Sequence, residues 1–200
     1  MPDKGNNILD WVNLPKGART ESLWASLHDA QIVSIQSNLL ERTVVLGFEA
    51  SHLCKFHDLP KDLQFRFRLT GVQSARVVQY VCWPGELKIP QGASREEESH
   101  LVAAYQEKCR EESVSWTQLQ TLISRDKHMV LEISSATLVS GEGKQLALRL
   151  SAHDSHNVYY ELFLRADGLH VLRSDGEALG LGQFKRLGEA YWDAFSSRKK

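Results

Sequence analysis

The sequence predicts an α+β fold: mainly antiparallel β-sheet in two similar halves, with a helical insert and a C-terminal covering helix. Three observations support this prediction. Short runs alternate apolar and polar residues and are separated by turn residues, as in antiparallel strands. A stretch with helical spacing interrupts these runs near the middle of the chain. A second stretch, with one apolar stripe, ends it.

The bulk composition is that of a folded protein. Hydrophobic residues make up 42% of the 200 residues and charged residues 24%, which excludes a disordered chain. We expect residues 1–20 to form a polar arm and residues 21–200 to form a single α+β domain. Within that domain, two related β-rich halves are predicted at about 29–83 and 129–174.

Alternation predicts four strands in the first half: 31–36, 43–49, 65–69 and 75–83. A short helical turn over 22–27, with Ser22 as its N-cap, precedes them. Phe65 and Phe67 share one face of their strand, as a period of two requires. These strands therefore have an apolar face and a polar face.

The helical insert is predicted at about residues 94–124. Ser94 and Glu97 have the spacing of a capping box, and a second helix is expected over 116–123. Alternation resumes after this insert in four further strands: 129–140, 145–152, 158–165 and 169–173. The last element is a helix over 183–196.

The two β-rich halves resemble each other in sequence. Three pairs of segments match: Ala30–Ser34 with Ala136–Ser140, Thr43–His52 with Gln145–Asp154, and Arg68–Val72 with Arg165–Leu169. A true internal duplication explains these matches. The alternative is that any two antiparallel meanders coincide this well, because alternation alone supplies apolar matches.

Charge and cysteine content limit the environment and the partners. The 24 basic and 25 acidic residues give a net charge of −1, so nucleic acid is an unlikely partner. No apolar leader and no membrane-length apolar stretch is visible. The odd, widely spaced cysteines Cys54, Cys82 and Cys109 fit reduced thiols. We therefore expect a cytoplasmic protein without a membrane partner.

One cluster has the residue types of a metal site. His52, Cys54 and His57 form a His-x-Cys-x-x-His pattern, and zinc accepts imidazole and thiolate ligands. A structural site needs a fourth ligand, which would come from Cys82, His153 or His156. The alternative is a polar loop without a cofactor, in which Cys54 turns into the core.

Three His-Asp dipeptides suggest acid–base chemistry: His28-Asp29, His57-Asp58 and His153-Asp154. A carboxylate beside an imidazole tunes it as a general base. Adjacent residues on a strand point to opposite faces, however, so a dipeptide is not itself a dyad. Loops 52–58 and 153–157, the second of which contains His156, could form a hydrolase site if they meet at one end of the sheet.

Arginines are concentrated on the predicted polar faces of the sheet. Arg66 and Arg68 point away from the apolar face and could bind an anion or RNA. No aromatic residues alternate with them as stacking platforms would require. A solvated face with cross-strand partners such as Glu49 and Glu161 is the favoured interpretation.

The sequence favours a non-enzymatic binding or protein-interaction module. It contains no nucleophile elbow and no phosphate-binding loop. The apolar stripe of the last helix is a candidate surface for a protein partner or self-association, besides its role in covering the sheet. The alternative is a metal-dependent or His/Asp-based hydrolase. Leu27–Ala30 ahead of a strand resembles small bacterial β-rich proteins, some of them immunity-like, without identifying a family.

Overall fold

A computed structural model describes residues 19–38, 40–81, 90, 92–94, 96–97, 100–101, 110–125, 130–141, 145–155 and 158–197. The strands in these ranges are β1 (Arg19–Ser22), β2 (Gln31–Asn38), β3 (Thr43–Glu49), β4 (Gln64–Thr70), β5 (Ser74–Val81), β6 (Arg110–Val114), β7 (Leu131–Ser140), β8 (Leu146–His153), β9 (Val158–Ala166), β10 (Gly168–Arg173) and β11 (Ala178–Leu179). The helices are α1 (Trp24–Leu27), α2 (Ser51–Phe56), α3 (Trp116–Arg125) and α4 (Leu181–Ser197). The predicted α+β class is confirmed.

The alternation of apolar and polar residues in the sequence corresponds to alternating buried and exposed side chains in the strands. Phe65, Phe67 and Leu69 of β4 are fully buried, whereas Arg66 and Arg68 between them are exposed. Strands from both halves contribute to one continuous apolar cluster, which also takes in side chains from all four helices. Burial of this shared core is the main stabilising term for the fold.

Some elements were not predicted from the sequence. Residues 51–56 form the helix α2 rather than a loop, and the six-residue segment is too short to show helical periodicity. The predicted helical insert contains the strand β6, whose backbone pairs with β5. Ser22 ends β1 instead of capping α1, although its hydroxyl accepts a hydrogen bond from the Trp24 amide at 3.2 Å. Position Leu23 is the N-cap.

Other predictions hold at residue level. The capping box is present: the Ser94 amide and hydroxyl each donate to the Glu97 carboxylate at 2.8 Å, and the Glu97 amide donates back to Ser94 Oγ at 3.2 Å. Arg19 and Thr20, at the end of the predicted arm, belong to β1. Residues 1–18 of that arm lie outside the described residues, as do Cys82 and Cys109.

The strand order is symmetric about its centre. Hydrogen-bonded neighbours follow the order β11-β10-β4-β3-β2-β7-β8-β9-β5-β6, and every pair is antiparallel. β2 meets β7 only at Gln31–Ile32 and Leu131–Glu132. β1 pairs with Thr137–Ser140 at the other end of the same β7 edge. Each half therefore contributes one strand to the other half. β5 of the first half pairs with β9 of the second, and β10 of the second half pairs with β4 of the first.

The two crossing connections bind each other. The Gln73 amide donates to the Arg165 carbonyl at 2.8 Å, and the Asp167 amide donates to the Thr70 carbonyl at 2.9 Å. Gly71 adopts φ +61°, and a Cβ there would lie 2.2 Å from Asp167 Oδ2, so the close approach requires glycine. These two bonds connect the end of the β4–β10 ladder with the start of the β5–β9 ladder.

The strand pairs place the two halves in register. Leu46 pairs with Phe67, and Leu148 occupies the corresponding position opposite Leu164, which agrees with the match of Thr43–His52 to Gln145–Asp154. The strand pairing aligns Ile35 with Leu138, because these residues pair with the equivalent residues Leu46 and Leu148. The sequence match of Ala30–Ser34 to Ala136–Ser140 therefore differs from the structural alignment by three residues. Common ancestry of the halves stays a prediction.

No helix among the described residues has the length and apolar character needed to span a membrane.

Candidate functional site

Helices α1, α2 and α4 present one cluster of aromatic side chains, which we call the aromatic surface: Trp24, His28, Phe56, Tyr191, Trp192 and Phe195. The cluster begins where α1 docks on α4. The buried Ser26 hydroxyl donates to the Phe184 carbonyl at 2.9 Å, and Trp192 Nε1 donates to the Ala25 carbonyl at 2.9 Å. These bonds fix α1, a single turn that would not be helical by itself.

The first part of the aromatic surface is a group of three rings. The Trp24 centroid lies 4.6 Å from that of His28 and 4.9 Å from that of Trp192. His28 and Trp192 are 5.6 Å apart, and all three planes are within 30° of one another. Offset stacking of this kind adds to the apolar burial of each ring. The group therefore holds Trp24 in one orientation.

The second part joins α2 to α4. Tyr191 makes edge contacts with His52 at 5.0 Å and with Phe56 at 5.6 Å. His57 Nε2 donates to the Leu187 carbonyl at 2.8 Å and anchors the end of α2 on α4. The two parts meet because Tyr191 also contacts Trp192 at 5.1 Å.

Much of this cluster remains in contact with solvent. Trp24 is 39% exposed and Phe56 is 38% exposed, whereas Tyr191 and Trp192 are half-buried. A group of neighbouring exposed aromatic rings differs from the isolated exposed apolar residues found on any protein. The arrangement is rigid, apolar and accessible, which suits it to binding.

A polar group borders the aromatic surface. His28 Nδ1 lies 3.2 Å from Asp29 Oδ1, without hydrogen-bond geometry, so the two groups are in contact but are not hydrogen-bonded. Burial lowers the pKa of His52, the Asp29 carboxylate opposes that shift, and His28 adds to it. Both ring nitrogens of His52 are buried and have no hydrogen-bond partner within the described residues. The charges of His28 and Asp29 therefore act on the His52 imidazole, whereas adjacency in sequence revealed only the pair His28 and Asp29.

The predicted metal ligands do not converge. On a helix, His52, Cys54 and His57 project in different directions, because successive residues are rotated by 100°. Cys54 is 2% exposed, its Sγ donates to the Leu63 carbonyl at 3.7 Å, and burial raises its pKa. His57 is bound to α4. No group of three metal-ligating side chains capable of holding an ion occurs among the described residues, so zinc binding by this trio stays an unsupported prediction.

The second predicted loop has a structural arrangement of its own. Asp154 is buried, and its Oδ1 accepts from the Val158 amide at 3.0 Å while its Oδ2 accepts from the Tyr160 hydroxyl at 3.5 Å. His153 lies beside Tyr159, with ring centroids 5.8 Å apart. The Asp154 carboxylate therefore ties the end of β8 to the first residues of β9.

No described contact joins the two predicted loops into one site. The contacts of His57 are with Phe56 and α4, whereas the ring contact of His153 is with Tyr159 of β9. Asp58 is exposed in a left-handed conformation at φ +54°, at the end of α2. His156 lies outside the described residues. The described chain instead places His52 within electrostatic range of His28 and Asp29.

The outer face of the sheet contains at least one paired arginine. Arg149 donates from Nε and Nη2 to the two carboxylate oxygens of Glu161 at 2.7 and 2.8 Å. Its guanidinium also lies 5.7 Å above the Phe163 ring. This bidentate pair is the cross-strand partnership expected of Glu161.

Comparisons of the chain with protein-family models, curated proteins and solved structures return no match. The sequence contained a signal for the aromatic surface: Tyr191, Trp192 and Phe195 continue an apolar stripe beyond the buried Phe184. What the sequence did not show is that α1 and α2 bring their own aromatic rings to that stripe.

Proposed function

We propose that this protein is a protein-interaction module and that the aromatic surface is its binding site. The observation that supports this most directly is the pair of exposed aromatic residues Trp24 and Phe56, on two different helices and joined through α4. Tryptophan, tyrosine and phenylalanine are enriched at the centres of protein interfaces. They bury a large area at a low cost in side-chain entropy.

The rigidity of the aromatic surface favours binding. Trp192 is tied to the Ala25 carbonyl, and the Trp24 ring is stacked on Trp192 and His28. A side chain that is already ordered loses little conformational freedom when a partner covers it. Binding to this surface therefore retains more of the free energy gained from apolar burial.

A site-specific crosslinking experiment tests the proposal. A photo-reactive phenylalanine analogue is placed at Phe56 and, as a control, at Leu40, which is 98% exposed and sits in the β2–β3 turn. The full-length proteins are crosslinked in the cells that naturally produce them. We expect a defined adduct from position 56 only, with one partner that can be identified and purified.

The affinity of the purified pair then decides the outcome. Trp24→Ala and Phe56→Ser should each weaken binding about 30-fold, which corresponds to a hot-spot loss of about 2 kcal/mol. Leu40→Ser should leave the affinity unchanged. If the partner is a second copy of the chain, the same variants should abolish the dimer in light scattering. Equal affinity for all three variants would show that the aromatic surface is not the binding site.

A further inference from the structure

The aromatic surface carries an accessible negative charge at one margin. The Asp29 side chain is 57% exposed and directly follows His28, whose ring stacks on Trp24. The Asp29 carboxylate is therefore one imidazole away from an exposed indole. Its Oδ1 faces His28, and Oδ2 accepts no hydrogen bond from the described residues.

The position of Asp29 is fixed by the backbone on both sides. The Asp29 amide donates to the Ile133 carbonyl at 3.2 Å, and the Ile133 amide donates to the Ala30 carbonyl at 2.8 Å. These bonds hold the turn between α1 and β2 against β7. The Asp29 carboxylate is thus held on a turn fixed by the backbone, and the His28 ring links it to Trp24 of α1.

An exposed indole beside a carboxylate is complementary to a cationic side chain, and to a planar, forked cation more than to a point charge. Arginine has a planar guanidinium that stacks on aromatic faces and donates in a fork to carboxylate oxygens. It is also enriched at protein interfaces, where it is among the commonest hot-spot residues. A neutral side chain could pack on the indole but would not form an ion pair with Asp29. An acidic side chain would be repelled by Asp29.

We propose that the aromatic surface recognises an arginine side chain of its partner protein, with the guanidinium stacked on Trp24 and paired with the carboxylate of Asp29. This inference rests on the proposed function and names the partner chemistry of the same site. Phe56 and Tyr191, on the far side of Trp192, provide the apolar area around that contact.

Titration of the full-length protein with a minimal probe tests the recognition directly. The probe is N-acetyl-arginine amide, and the matched control is N-acetyl-citrulline amide, which has nearly the same shape without the charge. Indole NMR signals and tryptophan fluorescence report occupancy. We expect saturable binding of the arginine probe, weakened by salt, and binding of the citrulline probe that is weaker by about tenfold or more.

Variants assign the contact to the two residues. Asp29→Asn should remove the preference for arginine over citrulline, and asparagine tolerates the left-handed backbone at φ +62°. Trp24→Leu should abolish the binding of both probes. Asp62→Asn, at an exposed carboxylate elsewhere, should change nothing. Equal responses to the two probes, or an arginine preference that survives Asp29→Asn, would overturn the inference, as would a titration that never saturates.

The two proposals fail in different ways. If Phe56→Ser weakens binding of the natural partner and Asp29→Asn does not, arginine recognition is wrong while the interaction site stands. If the arginine probe binds as expected but the Trp24→Ala and Phe56→Ser variants both bind the partner normally, the proposed function is wrong.

Discussion

Gly188 of α4 and the carbonyl oxygen of Ala25 in α1 are so close that a Cβ added at Gly188 would lie 2.3 Å from that oxygen. The two helices cross at this point, and their backbones come into direct contact because glycine has no side chain. The aromatic surface depends on this approach, because it brings Trp24 to Trp192.

Gly188→Ala should destabilise the protein by about 1–3 kcal/mol, the usual cost of overpacking, despite the better helix propensity of alanine. Urea unfolding followed by circular dichroism measures the loss. The matched control is Gly182→Ala in the same helix, where the added Cβ would meet only Arg186 Nη1 at 3.7 Å. That variant should be neutral or slightly stabilised. A Gly188→Ala protein as stable as the control would mean that α1 is not held closely against α4.

Ser26→Ala should lower the free energy of unfolding by about 1 kcal/mol. The substitution removes the buried 2.9 Å hydrogen bond from Ser26 Oγ to the Phe184 carbonyl and leaves no polar group of its own unpaired. Ser124→Ala is the comparison, because the exposed Ser124 hydroxyl donates to the Gln120 carbonyl within its own helix. Its effect should remain within about 0.5 kcal/mol. Similar losses of stability in the two variants would argue against a role of Ser26 in holding α1 against α4.

Stability should fall on acidification because of His52. Burial lowers the pKa of its imidazole in the folded state, so the unfolded chain binds a proton more readily. The free energy of unfolding therefore decreases as the pH falls below about 6.5, the usual histidine value, toward the lower folded-state pKa. Urea midpoints between pH 8 and pH 5 should show this slope, and His52→Gln should reduce it. His170→Gln, at an exposed histidine, serves as the control; a slope equal in both variants would assign the effect elsewhere.

Tyr160 should keep its proton well into the alkaline range. Burial, followed by the Asp154 carboxylate, raises the pKa of its hydroxyl to about 12. Unfolded tyrosine ionises near pH 10, so unfolding releases this proton and stability falls between about pH 10 and pH 12. In an alkaline titration followed by tyrosinate absorbance, the transition at the highest pH should be absent from Tyr160→Phe and present in Tyr159→Phe. Asp154→Asn should shift that transition to lower pH.

The predictable part of the fold is local. Phe65, Phe67 and Leu69 faced inward as their spacing indicated, and Ser94 and Glu97 formed their capping box. Such features depend on neighbours a few residues away, whose geometry the backbone dictates. The helix α2 escaped prediction because six residues between two strands carry too little periodicity to be distinguished from a loop.

The site was predicted only in fragments. His28, Asp29 and His52 were candidates for different reasons, and the expected partners of His52 were Cys54 and His57. Helical rotation separates that trio, while the docking of α1 and α2 on α4 places His52 within electrostatic range of the other two. No spacing in the chain encodes this neighbourhood, because residues 28 and 52 come within that range only through tertiary packing.

The sequence by itself determined the α+β composition, the inward faces of the strands and the apolar stripe of the C-terminal helix. These follow from the fixed periods of strand and helix acting on the order of side chains. Only the tertiary structure decided that β5 and β10 exchange places between the halves. It alone also decided that α1 and α2 complete the aromatic surface. The physical reason is that strand exchange and helix docking depend on which long-range contacts bury the shared core best, and many sequences with the same local pattern could make that choice differently.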